Sequence, residues 1–358
     1  MKSILIGVGQ AGGKVVNALS EFDARNGFGS VVGSLAVNSA RSDLRSLPLE
    51  TVLIGGAEVN GHGVGGDNEL GTKVMRDDAE AVLSAIDDRT TARAEAMFVV
   101  AGLGGGTGSG GAPYLVKELQ RVYDIPVYGL GVLPGRDEGA LYQLNAGRSL
   151  KTLTREADAT LLVDNDAWRS AGESLDSGYE AINERIARRV GLLLAAGEAV
   201  DGVGESVVDS SEVINTLRGG VATLGYASAE AAPDAGGNVN VVTSTARRAV
   251  RSGLCLPDTT SAERGLLVVA GRHKAVPRKG VEKARSWLET ELDTMEIRGG
   301  DFPLENDWLA SLVLLGGVVN SDRLNGFLER ARQAAEMGGH ADAPDDETLV
   351  DDRIDGLL

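Results

Sequence analysis

Cysteine is almost missing from this 358-residue chain: Cys255 stands alone and cannot form an internal disulfide. Histidine is nearly as rare, and His62, His273 and His340 are too dispersed to show metal-ligand spacing. Both absences point to a reducing interior. Lysine is scarce beside aspartate and arginine, basic residues are not clustered, and the net charge is -17. A nucleic-acid partner is therefore disfavoured, because a phosphate backbone is bound by clustered Lys and Arg. An acidic, lysine-poor surface is also what stays hydrated in concentrated salt. The longest mainly apolar run, residues 309–319, falls short of the ~20 residues a membrane span needs. Met1 leads directly into strand-like Ser3-Ile4-Leu5-Ile6, without the charged and apolar regions of a signal peptide. The expectation is a cytoplasmic protein that is not integral to a membrane.

Glycine, by contrast, is abundant. The 49 glycines are about twice the ordinary share of ~7%, and many fall in discrete loops where strands would end. The densest stretch is Gly104-Gly105-Gly106-Thr107-Gly108-Ser109-Gly110, between an apolar run at 97–103 and a helical pattern expected from about Ala112. Glycine lets backbone N–H groups approach a ligand, and a following helix N-terminus favours anions. The stretch reads as a phosphate cradle, the other reading being a flexible linker.

The chain is longer than one core usually organises, and its 42% apolar content suffices for two. Up to about residue 165, short apolar runs at 4–6, 34–37, 51–54, 97–100, 127–130 and 160–163 alternate with helical spacing at Val15-Val16-Leu19-Phe22 and Ala112-Leu115-Val116-Leu119. That alternation predicts a largely parallel sheet covered on both faces, with ligands at the strands' carboxyl ends. A long helix is expected over 175–200, carrying Leu175, Tyr179, Ile182, Ile186, Val190 and Leu193 as one stripe. A smaller α+β domain should follow, with strands at 265–270 and 311–315. The predicted division is 1–174, a linking helix at 175–200, 201–333, and an acidic disordered tail at 334–358 holding Asp345-Asp346-Glu347 and Asp351-Asp352. The terminal Ile354-Asp355-Gly356-Leu357-Leu358 reads as a frayed end or a docking motif.

A second loop, Gly7-Val8-Gly9-Gln10-Ala11-Gly12, fits the dinucleotide fingerprint. However, the second strand ends Val37-Asn38-Ser39, without the carboxylate that an NAD ribose requires. A P-loop fails too, since Gly13-Lys14 is followed by Val15. A third loop, Gly61-His62-Gly63-Val64-Gly65-Gly66-Asp67-Asn68-Glu69-Leu70-Gly71, could reach a terminal phosphate through a helix start. Three phosphate-facing loops on one sheet suggest a nucleoside triphosphate.

In these residues, over about 1–330, the chain resembles the tubulin/FtsZ superfamily of polymerising GTPases. Gly104 to Gly110 matches that family's signature loop. Gly9, Gln10, Ala11 and Gly12 are similar to its first phosphate loop in the tubulin form, Asn38 to the asparagine after strand two, and the loop holding Gly65, Gly66 and Asp67 to its γ-phosphate loop. Pro134-Gly135-Arg136-Asp137-Glu138-Gly139 resembles the ribose loop, with Glu138 facing the sugar. By the same resemblance Asn165, Tyr179 and Asn183 meet guanine, the last two sharing a helix face at i and i+4.

Ser206-Val207-Val208-Asp209-Ser210-Ser211-Glu212-Val213 precedes a helical pattern, and Asp209 and Glu212 suit helix-capping carboxylates. The resemblance implies more: this stretch matches the loop that one subunit inserts into its neighbour's nucleotide pocket. Glu212 would then polarise the attacking water, assisted by Asp209, in trans. Val207 stands where FtsZ has asparagine, and Glu212 is tubulin-like where FtsZ has aspartate. This mosaic looks most like the haloarchaeal CetZ group, implicated in cell shape.

The expectation is thus an α/β fold, a parallel-sheet GTP-binding domain joined by a long central helix to a smaller α+β domain. The implied ligands are GTP/GDP with Mg²⁺, and the implied partner is the chain itself, head to tail in a protofilament. Tubulin-like paralogues or membrane adaptors could meet the acidic tail. A monomeric GTP switch and an NAD-dependent oxidoreductase are the rival readings.

Overall fold

The computed structural model describes residues 1–88, 93–168, 175–196, 208–232 and 235–337. The first half alternates strand and helix: β1 (Ser3–Val8), α1 (Gly9–Asn26), β2 (Val31–Asn38), α2 (Arg41–Arg45), β3 (Thr51–Leu53), α3 (Gly56–Val59), α4 (Asn68–Asp77), α5 (Ala79–Asp87), β4 (Ala96–Gly102), α6 (Thr107–Val122), β5 (Val127–Leu133), α7 (Ala140–Glu156) and β6 (Thr160–Asp164). The second comprises α8 (Leu175–Ala196), α9 (Ser210–Thr216), β7 (Val221–Glu230), α10 (Ala235–Arg251), β8 (Thr259–Gly271), α11 (Arg278–Glu291), β9 (Ile297–Pro303), β10 (Trp308–Ser321) and α12 (Asp322–Met337).

The strands join in one sheet, ordered β3-β2-β1-β4-β5-β6-β7-β10-β8-β9. From β3 to β7 all neighbours are parallel. The chain steps outward from β1 to β3 and then returns to β4 on the other side of β1. Strand order therefore reverses between β1 and β4, and the crevice at their carboxyl ends is where such sheets hold ligands. Strands β1 and β4 read as continuous apolar runs because helices cover both faces. Val15, Leu19, Ile186 and Val190 of α1 and α8 pack with Leu5 and Phe98 on one side. Met75, Ala112, Leu115 and Leu150 of α4, α6 and α7 pack with Ile4 and Met97 on the other.

Beyond β6 the sheet changes character. Strands β6 and β7 pair only through Thr160↔Val221 and Leu161↔Ala222, and β10 runs antiparallel to both β7 and β8. Helices α10 and α11 bury Val242, Ala246, Ala284 and Leu288 against Leu267, Val313 and Leu315, giving this part its own core.

Three expectations need correction. Helix α6 starts at Thr107, not near Ala112, so the end of the glycine signature is helical; its glycines are needed for close packing, as shown below. In α8 the described stripe is buried from Ile182 onward, Leu175 lying outside the residues whose burial is described, while Tyr179 is 41% exposed and lies apart from the core. Helix α12 continues through 334 to Met337 because Ala334 and Ala335 bury against Leu144 of α7. The expected tail beyond 337, its terminal 354–358 read as a frayed end or a docking motif, helix residues 197–200, and Ser206 and Val207 lie outside the described residues.

Candidate functional site

The glycine signature is first a packing device. A Cβ on Gly110 would come within 2.1 Å of the Asn68 carbonyl oxygen, and one on Gly108 within 2.7 Å of the Gly102 carbonyl oxygen. Such distances exclude any side chain, so α6 rests directly on α4 and on the end of β4. Gly105 differs, since a Cβ there would meet nothing within 4 Å. Its surroundings are open space. Gly9, Gly65 and Gly66 adopt positive φ of 74°, 60° and 85°, which only glycine takes up readily, and they bend the other two loops toward the same crevice.

These loops enclose a cleft of about 470 Å³ at the carboxyl ends of the central strands. Its walls include Gly9, Gln10 and Ala11 from the start of α1, Asn38 from the end of β2, and Gly65 and Gly66. Gly104, Gly105, Gly106, Thr107 and Gly108 line it from the signature, Glu138 from the loop before α7, Asn165 from beyond β6, and Tyr179 and Asn183 from α8. Residues from seven separate stretches of sequence thus meet at one place. The first turns of α1 and α6 turn their unpaired N–H groups and positive dipole ends to it, a lining suited to phosphate.

Three expected ligand residues do not line it. Gly12 lies beneath, where a Cβ would sit 2.1 Å from the Val100 carbonyl oxygen. Asp67 caps α4, accepting the Leu70 N–H at 2.9 Å. The Ser109 hydroxyl donates back to the Gly105 carbonyl and accepts from Asn68 Nδ2 at 3.1 Å. Each acts on the loops instead of facing the cleft.

Side-chain bonds fix the loops to one another. The Ser39 and Thr107 hydroxyls are 2.6 Å apart and tie the end of β2 to the signature. Buried Asn145 of α7 donates from Nδ2 to the carbonyls of Gly66 (2.8 Å) and Gly104 (3.1 Å), clamping two phosphate-facing loops with one amide. Gln143 Nε2 donates to the Gly135 carbonyl at 2.7 Å, and Glu138 Oε1 accepts the Gly135 N–H at 2.7 Å, closing the loop before α7. Sequence reasoning missed Gln143 and Asn145, because amides in an amphipathic helix carry no signal until the loops they reach are known. It also missed Lys14, Asp43, His62 and Tyr142 in the wall. Of these Lys14, just after the first glycine loop, and His62, within the third, had a signal in their place. Asp43 Oδ2 accepts from Asn38 Nδ2 at 3.0 Å.

Asp209 and Glu212 are not part of the cleft wall. They form a capping box at the start of α9: Asp209 Oδ1 accepts the Glu212 N–H at 2.9 Å, and Glu212 Oε2 accepts the Asp209 N–H at 3.3 Å. The Ser211 hydroxyl and the Glu212 N–H hold the Asp209 carboxyl below its usual range, whereas partial burial pushes the Glu212 carboxyl up. Just past α9, the Gly219 N–H and the Gly220 carbonyl bond to Asp158 and Thr160, at the start of β6. The cleft residue Asn165 lies beyond that strand's other end. The carboxylates thus belong to an element anchored at the opposite edge of the sheet. Among the described residues no group of three or more His, Cys, Asp or Glu is placed to hold a metal ion, and no helix is long and apolar enough to cross a membrane.

Comparison with known proteins identifies relatives over the whole described chain. Residues 2–172 match the GTPase domain of the tubulin/FtsZ family, and residues 172–333 match the C-terminal domain of tubulin-like CetZ. The chain is 64% identical to the tubulin-like protein CetZ2 of Haloferax volcanii, over the full length of both. The solved CetZ2 of that organism, a GTPγS-bound protofilament, superposes with a TM-score of 0.92 at 65% identity, covering 95% of this chain and 100% of that one. The GDP-bound CetZ1 monomer of Haloferax volcanii superposes with a TM-score of 0.86 at 48% identity, covering 93% and 99%.

Proposed function

We infer the function from one premise: the chain belongs to the tubulin/FtsZ family, in its CetZ group. It is a cytoskeletal GTPase that binds GTP in the cleft, assembles head to tail into protofilaments and hydrolyses GTP at the subunit interface, in the service of archaeal cell shape. The triphosphate lies on the glycine loops, the ribose at Glu138, and guanine against Tyr179 with Asn165 and Asn183 at its edge. Residues 1–174, with Tyr179 and Asn183 of α8, hold the nucleotide, α8 links them to the following domain, and the tail is left to paralogues or membrane adaptors.

One observation carries the reading. The cleft has the lining a triphosphate needs, yet its two carboxylates, Asp43 and Glu138, are both engaged in holding backbone or side-chain partners, and the candidate water-orienting pair belongs to an element anchored at the far edge of the sheet. Stacking two copies along the strand direction brings those two edges together. Hydrolysis then adds a water oxygen to the γ-phosphorus and breaks its bond to the β–γ bridging oxygen, leaving GDP and phosphate. The neighbour's Glu212 orients that water and its Asp209 assists. Mg²⁺ would neutralise charge developing on the phosphates. With no carboxylate cluster in the described cleft, it would be held mainly by phosphate oxygens and water, as Mg²⁺ ordinarily is.

Sedimentation with GTP in concentrated KCl tests the reading. Assembly above a threshold concentration, with phosphate released in step, is expected. Soluble GTP-bound monomer at every concentration would instead establish the switch reading, and binding of NADH in place of GTP the oxidoreductase one.

A further inference from the structure

We propose that Arg323, the second residue of α12, is a positioning residue for the purine end of the nucleotide cleft. The inference rests on the GTP reading above and deepens it. Arg323 and Asp164 are each 2% exposed. The guanidinium Nε donates to Asp164 Oδ2 at 2.5 Å, and Nη2 donates to Asp164 Oδ1 at 2.6 Å and to Asp166 Oδ2 at 3.1 Å. A planar fork on a carboxylate fixes orientation as well as distance.

The two aspartates are the sequence neighbours of Asn165, the amide at the guanine end of the cleft. From them the bonds continue into the ribose loop. Asp166 Oδ2 accepts the Arg136 N–H at 2.8 Å, while Asn165 Nδ2 reaches Glu138 Oε1 at 3.5 Å. One guanidinium therefore holds both segments that meet base and sugar, although Arg323 itself is not in the cleft wall. A buried ion pair is ordinarily no more stabilising than apolar packing of the same volume. Its placement on both sides of Asn165 is better explained by the need to aim that amide. Helix α12, which carries Arg323, also packs on α7, the helix carrying Gln143 and Asn145.

The test is the ratio of GTP to ATP affinity, measured on the full chain by competition, with melting temperature recorded alongside. Arg323→Lys keeps the charge and loses the fork. Asp166→Asn keeps an acceptor for the Arg136 N–H and weakens the ion pair. Both should lower GTP affinity, Arg323→Lys by about tenfold, and lower ATP affinity less, through the shared ribose contact alone, so that the ratio contracts. A lowered melting temperature with an unchanged ratio in the folded variants would overturn the proposal, and if Arg323→Lys does not fold, Asp166→Asn decides. A wild-type protein with no preference for GTP would overturn the GTP reading itself.

Discussion

At the carboxyl ends of β1, β4, β5 and β6 the chain presents glycine, helix N-termini and neutral amides, whereas the element anchored at the start of β6 carries two carboxylates, Asp209 and Glu212. The difference is chemical. A triphosphate is held by N–H groups and repelled by carboxylates, so a chain of net charge -17 keeps acid out of the phosphate-facing wall. On the proposed reading the attacking water is oriented by an ionised carboxylate. On that reading the two requirements are met at opposite ends of the strands, so that a lone subunit would bind nucleotide without an assembled catalytic site and a second subunit would supply the missing half.

The sharpest way to break this comparison is to neutralise one edge and watch the other. Glu212→Gln should reduce GTP turnover at least ~100-fold while GTP affinity, measured by equilibrium binding, stays at the wild-type value. A parallel loss of binding would mean that the two edges are not separate. Next in size are paired changes within the signature. Gly110→Ala drives a methyl into the Asn68 carbonyl and should cost about 1–3 kcal/mol of stability together with GTP binding. Gly105→Ala meets nothing and should keep the wild-type melting temperature while weakening GTP, because the methyl occupies phosphate space.

Asn145→Ala removes the amide between the Gly66 and Gly104 carbonyls. It should weaken GTP by about tenfold in a binding titration and leave the α9 cap untouched. The smallest effect is a displaced pH limb. In its proposed role Glu212 orients water as the carboxylate, and burial raises its pKa, so turnover should fall on acidification at a higher pH than an ordinary glutamate would give. The same shift acts oppositely on folding: the contribution of Glu212 is full below the ordinary glutamate value and lost as pH rises through the raised one. Asp209, lowered by its bonds to Ser211 and Glu212, contributes above the ordinary aspartate value and loses this as pH falls through the lowered one. A pH–rate profile of assembled protein checks the first effect, and acid melts of Asp209→Asn the last.

Much of this was legible in the residues. The apolar runs marked β1 to β6 because strands buried on both faces need no polar alternation, and the glycine loops fell where strands end. Strands β7 and β9 were not legible: VATLGYASAE is dominated by small residues, and IRGGDFP holds two glycines and a proline, so their pairing is decided by neighbouring strands. The start of α6 was misjudged because glycine usually breaks helices, while here backbone contact with α4 requires it. Asn145 and Arg323 were invisible for a related reason. Each acts on carbonyls or carboxylates far away in sequence, and only the fold brings them together.

The claim that one subunit completes another's active site is tested most directly by a single-turnover mixing experiment. Glu212→Gln subunits loaded with [γ-³²P]GTP are mixed with wild-type subunits in excess unlabelled GTP, which dilutes any label that exchanges. Assembly in trans predicts release of labelled phosphate, since the wild-type Glu212 reaches the labelled cleft. Label retained as fully as in Glu212→Gln alone, in polymers shown to contain both proteins, would contradict it.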